Sequence, residues 1–141
     1  MSFLTALRIG ASGLSAQRTR VDLATSNLAN AETTRGADGQ PYKRLDPVLE
    51  AVPFDAVLGA AAPEGSAGVR VAQIAADTEP GRRVYSPSHP DADADGFVTL
   101  PNVDPIHEVV NLMSASRSYE ANATAIETLK GMAQRALDIA R

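Results

Sequence analysis

Cysteine and tryptophan are absent from this chain of 141 residues, and only three Phe and three Tyr supply aromatic rings. Without cysteine there is no disulfide framework, thiolate metal site or cysteine nucleophile. Alanine, with 25 copies, stands where bulkier side chains would build a core. The 44 % apolar fraction is therefore made of small groups, and a large interdigitated core is not expected. A basic surplus is missing too. Lys and Arg number 13 against 17 Asp and Glu, a net charge of −4, which excludes the basic surface that gives nucleic-acid binders most of their affinity. Nowhere do about 18 apolar residues run together, the length that spans a bilayer, so the chain is expected to be soluble and not membrane-inserted. The start, Met1 to Gly10, lacks the basic n-region and continuous apolar h-region of a secretory signal, so export, if it occurs, is expected to use another route.

Proline is missing from both ends. All nine, from Pro41 to Pro105, fall in the middle, together with 11 of the 17 acidic residues between 36 and 105. Long helices are therefore confined to the termini. In the first third, Leu7, Leu14, Val21 and Leu28 recur every seven residues and predict a narrow helical seam. Gly10 and Gly13 sit inside that helix at a cost of about 1 kcal/mol each relative to Ala, which is understandable if another helix must come close. The pattern fades at Asn27-Leu-Ala-Asn-Ala-Glu-Thr-Thr34, where Asn and Thr favour side-chain-to-backbone turns.

The last third is more regular. Leu112, Ala115, Tyr119, Asn122, Ile126, Leu129, Ala133, Ala136 and Ala140 alternate steps of three and four, the spacing of a coiled coil. Asn122 is its one polar member and reads as a residue that selects a register. Asp104 is placed to cap this helix, with Pro105 at its first position. Between the helices, Val69–Ile74, Arg82–Tyr85 and Phe97–Leu100 predict short antiparallel strands, while 36–66 reads as extended or irregular. The expected fold is mainly α with a small β insert. An N-terminal axial helix and signature turn (1–35) and a C-terminal axial helix (105–141) pair as one discontinuous coiled-coil domain around a loop and β region (36–104). Helices held by such narrow stripes gain most of their stability from packing, so both ends are expected to need partners.

Three constellations carry residue types used in chemistry. Asp91-Ala-Asp-Ala-Asp-Gly96 reproduces the first half of a calcium-binding EF-hand loop, but position 12 is Asn102 where a bidentate Glu belongs, and prolines flank the loop in place of helices. It reads as a structural acidic turn, with a calcium-binding module as the alternative. His107-Glu-Val-Val-Asn111 lacks the second histidine of a zinc-hydrolase helix, leaving Glu108 as first-turn charge that complements the helix dipole. Ser86, Ser88, His89 and Asp91 crowd into six positions, whereas a hydrolytic triad converges from separate elements. No enzyme activity and no cofactor are expected.

Three segments taken together resemble a known family. Leu7-Arg-Ile-Gly-Ala-Ser-Gly-Leu-Ser-Ala-Gln17 and Asn27-Leu-Ala-Asn-Ala-Glu-Thr-Thr34 resemble the N-terminal signature of bacterial flagellar axial proteins. Ser86–Val98 with Pro101-Asn-Val-Asp104, and Leu112–Asn122, resemble the middle and C-terminal helix of the proximal rod proteins of the basal body, whose short length this chain shares. The resemblance implies a non-enzymatic subunit of the rod that crosses the periplasm, transmits torque and lines an export channel. It implies export by the flagellar type III apparatus without a cleavable signal. The partners it implies are further copies, other rod proteins and the rod-to-export-gate adaptor. The assembly interface is expected at Leu7, Leu14, Val21, Asn27, Leu28, Asn30, Leu112, Tyr119, Asn122, Ile126 and Leu129. Another type III-exported coiled-coil protein is the remaining alternative.

Overall fold

In a computed structural model, residues 3–53 and 67–139 are described. They form helix α1 (Phe3–Ala29), strands β1 (Leu45–Pro53), β2 (Ala67–Ala76), β3 (Arg82–Tyr85) and β4 (Phe97–Leu100), and helix α2 (Pro105–Ile139). Strands β1 and β2 pair in one two-stranded sheet, β3 and β4 in another. Two long helices and two small antiparallel sheets thus account for the described elements. The three anticipated strands are present; β2 extends further at both ends. Strand β1 lies within the stretch expected to be extended or irregular, where Pro47 and Pro53 mask the strand signal although an edge strand tolerates both. Residues 54–66 of that stretch and the seam's last member, Ala140, lie outside the described residues.

Helix α2 begins as its sequence requires. The Asp104 carboxylate accepts the Ile106 N–H at 2.9 Å, satisfying one of the donors a helix start leaves open, and the Glu108 N–H closes the first turn on the Asp104 carbonyl at 3.0 Å. Helix α1 ends through Asn30. Its N–H and its side-chain amide both donate to the Ser26 carbonyl, at 3.1 and 2.9 Å, while its Oδ1 accepts the Thr33 hydroxyl at 3.2 Å.

The chain divides into two compact units. One gathers Met1–Thr19, Val48–Gln73 and Ser114–Arg141; the other gathers Arg20–Pro47 and Ile74–Met113. In the first unit, α1 and α2 meet where α1 has no side chain. A Cβ on Gly10 would lie 2.8 Å from Cγ1 of Ile126, and one on Gly13 would lie 2.8 Å from Nδ2 of Asn122. The Ser12 hydroxyl donates to the Ile9 carbonyl at 2.7 Å and accepts the Val69 N–H at 3.1 Å, tying β2 to α1. Across β1 and β2, Arg70 holds Glu50 at 2.8 and 3.0 Å.

In the second unit, β3 and β4 pair in the register Arg82↔Leu100, Arg83↔Thr99, Val84↔Val98 and Tyr85↔Phe97. The rings of Tyr85 and Phe97 meet edge to face, 5.3 Å between centroids, and the Arg83 guanidinium stacks 4.7 Å above Phe97. Gly96 turns the chain into β4 at φ +79°, where a Cβ would also meet the Tyr85 ring at 2.9 Å. Among the described residues the buried apolar set is small: Ala16, Leu23, Ala24, Ala31, Val98, Val103 and Ala115. Most of it is alanine, as the composition implies.

Candidate functional site

Two of the largest fully buried side chains in the second unit are polar, Glu108 and Asn27. They touch. The Asn27 amide donates to Glu108 Oε2 at 3.2 Å and to the Leu45 carbonyl at 2.9 Å; its Oδ1 accepts the Leu45 N–H at 2.9 Å and the Tyr42 hydroxyl at 3.0 Å. Every hydrogen-bonding position of the amide is filled. Toward Leu45 the side chain behaves as a neighbouring strand would, giving to the carbonyl and taking from the N–H of one residue. Aspartate lacks the donors for this.

Glu108 is 2 % exposed. Its Oε1 accepts the Arg44 Nε–H at 2.6 Å, and the Arg44 Nη1 turns to Asp46. Burial works against the charged guanidinium, but the bond to Glu108 and the negative charges of Asp46 and Glu108 outweigh it, raising the Arg44 pKa above the ordinary arginine value. Taking an acid out of water is unfavourable unless a counter-charge and hydrogen bonds complete its shell, and here they do. The cluster joins the end of α1, the start of β1 and the first turn of α2.

The remaining signature residues extend the network. Thr34 donates to Asp91 Oδ2 at 2.8 Å, and Arg35 pairs with Asp91 Oδ1 at 3.4 Å. Asp93 accepts the N–H groups of Phe97 and Asp95 at 2.8 and 3.0 Å and the Arg83 guanidinium at 2.6 Å. The Phe97 N–H above all, with Arg83 and the Asp95 N–H, holds the Asp93 carboxyl below the usual range. These contacts give the calcium alternative no support, since Asp91 and Asp93 are aimed at separate partners. Among the described residues no group of three or more His, Cys, Asp or Glu is arranged to hold a metal. His89 completes the loop by accepting the Asp91 N–H on Nδ1 at 3.1 Å.

Glu108 stands in the first turn of α2 as expected, and it is in addition a buried ion-pair partner, while its neighbour His107 is exposed. Arg44, Tyr42 and Glu108 were not anticipated as a site. One signal was available: stepping back four from Leu112 along the α2 stripe lands on Glu108, a carboxylate on the inward register.

Of the residues expected to form an interface, Asn27 is buried, Leu7, Leu14, Val21, Leu28, Asn30, Leu112, Asn122, Ile126 and Leu129 are half-buried, and Tyr119 is exposed. Helix α1 buries Thr5, Ala16, Leu23, Ala24 and Asn27. Close approach favours that face because small residues line it, which leaves the heptad leucines on its flank.

Comparison with known proteins follows the same segments. Residues 7–37 match the family described as "Flagella basal body rod protein", and residues 94–139 match "Flagellar basal body rod FlgEFG protein C-terminal". The flagellar basal-body rod protein FlgC of Salmonella typhimurium (strain LT2) is 42 % identical over 139 residues, covering 99 % of this chain and 98 % of that one. The FlgC of Bacillus subtilis (strain 168) is 43 % identical over 150 residues, covering both chains completely. That of Borreliella burgdorferi is 39 % identical over 149 residues, covering 99 % and 98 %. Among the described residues no helix is long and apolar enough to cross a membrane. With relatives matched over essentially its whole length, the chain belongs to the FlgC family of flagellar basal-body rod proteins, structural subunits of the rod and not a known family of enzymes.

Proposed function

We propose that this chain is a subunit of the proximal rod, assembling with its own copies and with other rod proteins through the two terminal helices to form a torque-transmitting shaft across the periplasm. The 42 % identity along 99 % of the chain carries this reading. The half-buried flank of α1 and stripe of α2 support it, because partly covered apolar residues at helical spacing are what neighbours in a tube wall would finish burying. Asn27, Asn30, Asn122 and Ile126 set the helix ends and register within each subunit. Leu7, Leu14, Val21, Leu28, Leu112, Tyr119 and Leu129 then pack in coiled-coil fashion. The wall so formed encloses an export channel. The subunit reaches it through the flagellar type III apparatus without a cleavable signal and meets the rod-to-export-gate adaptor at the base.

The test replaces the chromosomal copy in a motile host with Leu14→Asp or Leu112→Asp. Swimming is expected to stop while the variant chain is still made and still exported, and tagged wild-type chain is expected to co-fractionate with isolated basal bodies. A wild-type chain absent from basal bodies, or aspartate variants that swim normally, would overturn the proposal.

A further inference from the structure

Helix α2 carries a second apolar stripe, opposite the buried one. Ile106, Val109, Val110 and Met113 stand at i, i+3, i+4 and i+7, between 40 and 77 % exposed, and the sequence pattern had assigned them nothing. On the other side of this turn of helix lies Glu108 with Arg44 and Asn27, so the stripe cannot rotate inward without dismantling that cluster. Four large apolar side chains in eight residues form a contiguous patch, which is informative where one exposed leucine would not be.

The first turns of α1 offer a matching surface. Phe3 and Leu4 are 40 and 68 % exposed, with half-buried Leu7 one turn on. The parts of the chain that carry the two patches have opposite net charge. From Phe3 to Thr19 the helix carries Arg8 and Arg18 and no acid. The unit that bears the α2 stripe carries 11 acidic residues against 6 basic ones, with Asp104 exposed beside the stripe.

We infer that the stripe Ile106, Val109, Val110 and Met113 receives the first turns of α1, Phe3, Leu4 and Leu7, from a second copy of this chain. The inference rests on the self-assembly reading above and gives it a specific contact. Two different patches meeting make a heterologous interface, which leaves a free patch at each end and so propagates from copy to copy. The contact is small. Three or four residues a side fall far short of the roughly 20 to 30 in a standard stable interface, so it does not hold a dimer of the free chain. It operates where other rod contacts already hold the copies side by side, at high effective concentration.

The absence of cysteine makes the test clean. Two differently tagged copies, one Leu4→Cys and one Val110→Cys, are expressed together in place of the native chain in motile cells, which are oxidised before basal bodies are isolated. Dimers between the two tags are expected at least tenfold above dimers within either tag and above the control pair Leu4→Cys with Thr128→Cys. Val110→Asp, at an exposed position, is expected to keep its far-UV circular dichroism and to lose most of its incorporation. No mixed dimer above control, a Val110→Cys copy linked to some other protein, or full incorporation of Val110→Asp overturns the inference while tagged chain in the basal bodies leaves the rod reading standing. Wild-type chain absent from basal bodies removes both.

Discussion

Replacing Arg44 by methionine removes the counter-charge from Glu108, an acid that is 2 % exposed and whose remaining partner is a neutral amide 3.2 Å away. Breaking a buried pair from one side costs about 3–5 kcal/mol, because the surviving ion is stranded in a medium that solvates it poorly. With an m-value of roughly 2 kcal/mol/M in urea, the midpoint falls by about 1.5–2.5 M. Adding Glu108→Met changes the sign of the argument. Neither charge then needs solvation, two flexible apolar side chains fill similar volume, and stability returns to within about 1–2 kcal/mol of the parent, the deficit reflecting the Asn27 bond that has lost its acceptor. Glu108→Met alone is milder than Arg44→Met, since Arg44 retains Asp46. The assay is a double-mutant cycle by urea unfolding, followed by far-UV circular dichroism because there is no tryptophan. NMR of the Leu45 and Asn27 amides reports whether the loss is local. Single effects that add to within about 0.5 kcal/mol would mean no coupling, and the buried ion pair would then not be what joins these elements.

The two interhelical glycines are expected to answer differently to the same substitution. Gly13→Ala meets the far end of the Asn122 side chain, which can swing aside, so the gain in helix propensity of up to about 1 kcal/mol survives. Gly10→Ala meets Cγ1 of Ile126, near its backbone, and overpacking of about 1–3 kcal/mol outweighs the same gain; thermal melts of both variants and of Gly10→Ala with Ile126→Val check the contrast. For Asp93, whose folded pKa is lowered, the stabilisation of the β3–β4 turn is fully present above the unfolded carboxylate pKa near 3.8 and is lost as pH falls through the lowered value. An NMR titration of the Phe97 amide should move only in that acid range, and Asp93→Asn should abolish the dependence.

Periodicity made the helices legible, and the two helix ends were legible through Asp104 and the turn-favouring run Asn27–Thr34, because each is a local property of a few neighbouring residues. The short strands flanking Gly96 were legible for the same reason. What could not be read was which side of α1 faces inward. A seven-residue repeat of leucines argues for its own burial, yet the tightest approach belongs to Gly10, Gly13 and Ala16, since backbone proximity gains more packed surface than one leucine covers. That choice depends on the partner helix, whose Ile126 and Asn122 are more than a hundred positions away in the chain. Strand β1 was hidden by its prolines, which signal a loop unless one knows that the sheet has only two strands and therefore only edges.

The phrase Asn-Leu-Ala-Asn, residues 27–30, combines two roles at a spacing of three. Asn30 terminates α1 by bonding back to Ser26, and this ending fixes where the chain leaves the helix. Asn27, one turn earlier, lies on the inward face and pairs with Leu45 as a strand would, so the departing chain is caught again 18 residues later. The second Asn27 amide hydrogen then reaches Glu108 on α2. A hydrophobic residue at 27 could bury as much surface but would accept many sliding arrangements, whereas an amide with four directed bonds accepts one. For a rod subunit whose buried apolar helix residues are mostly alanine, that selectivity is worth more than the additional stability an apolar core would supply.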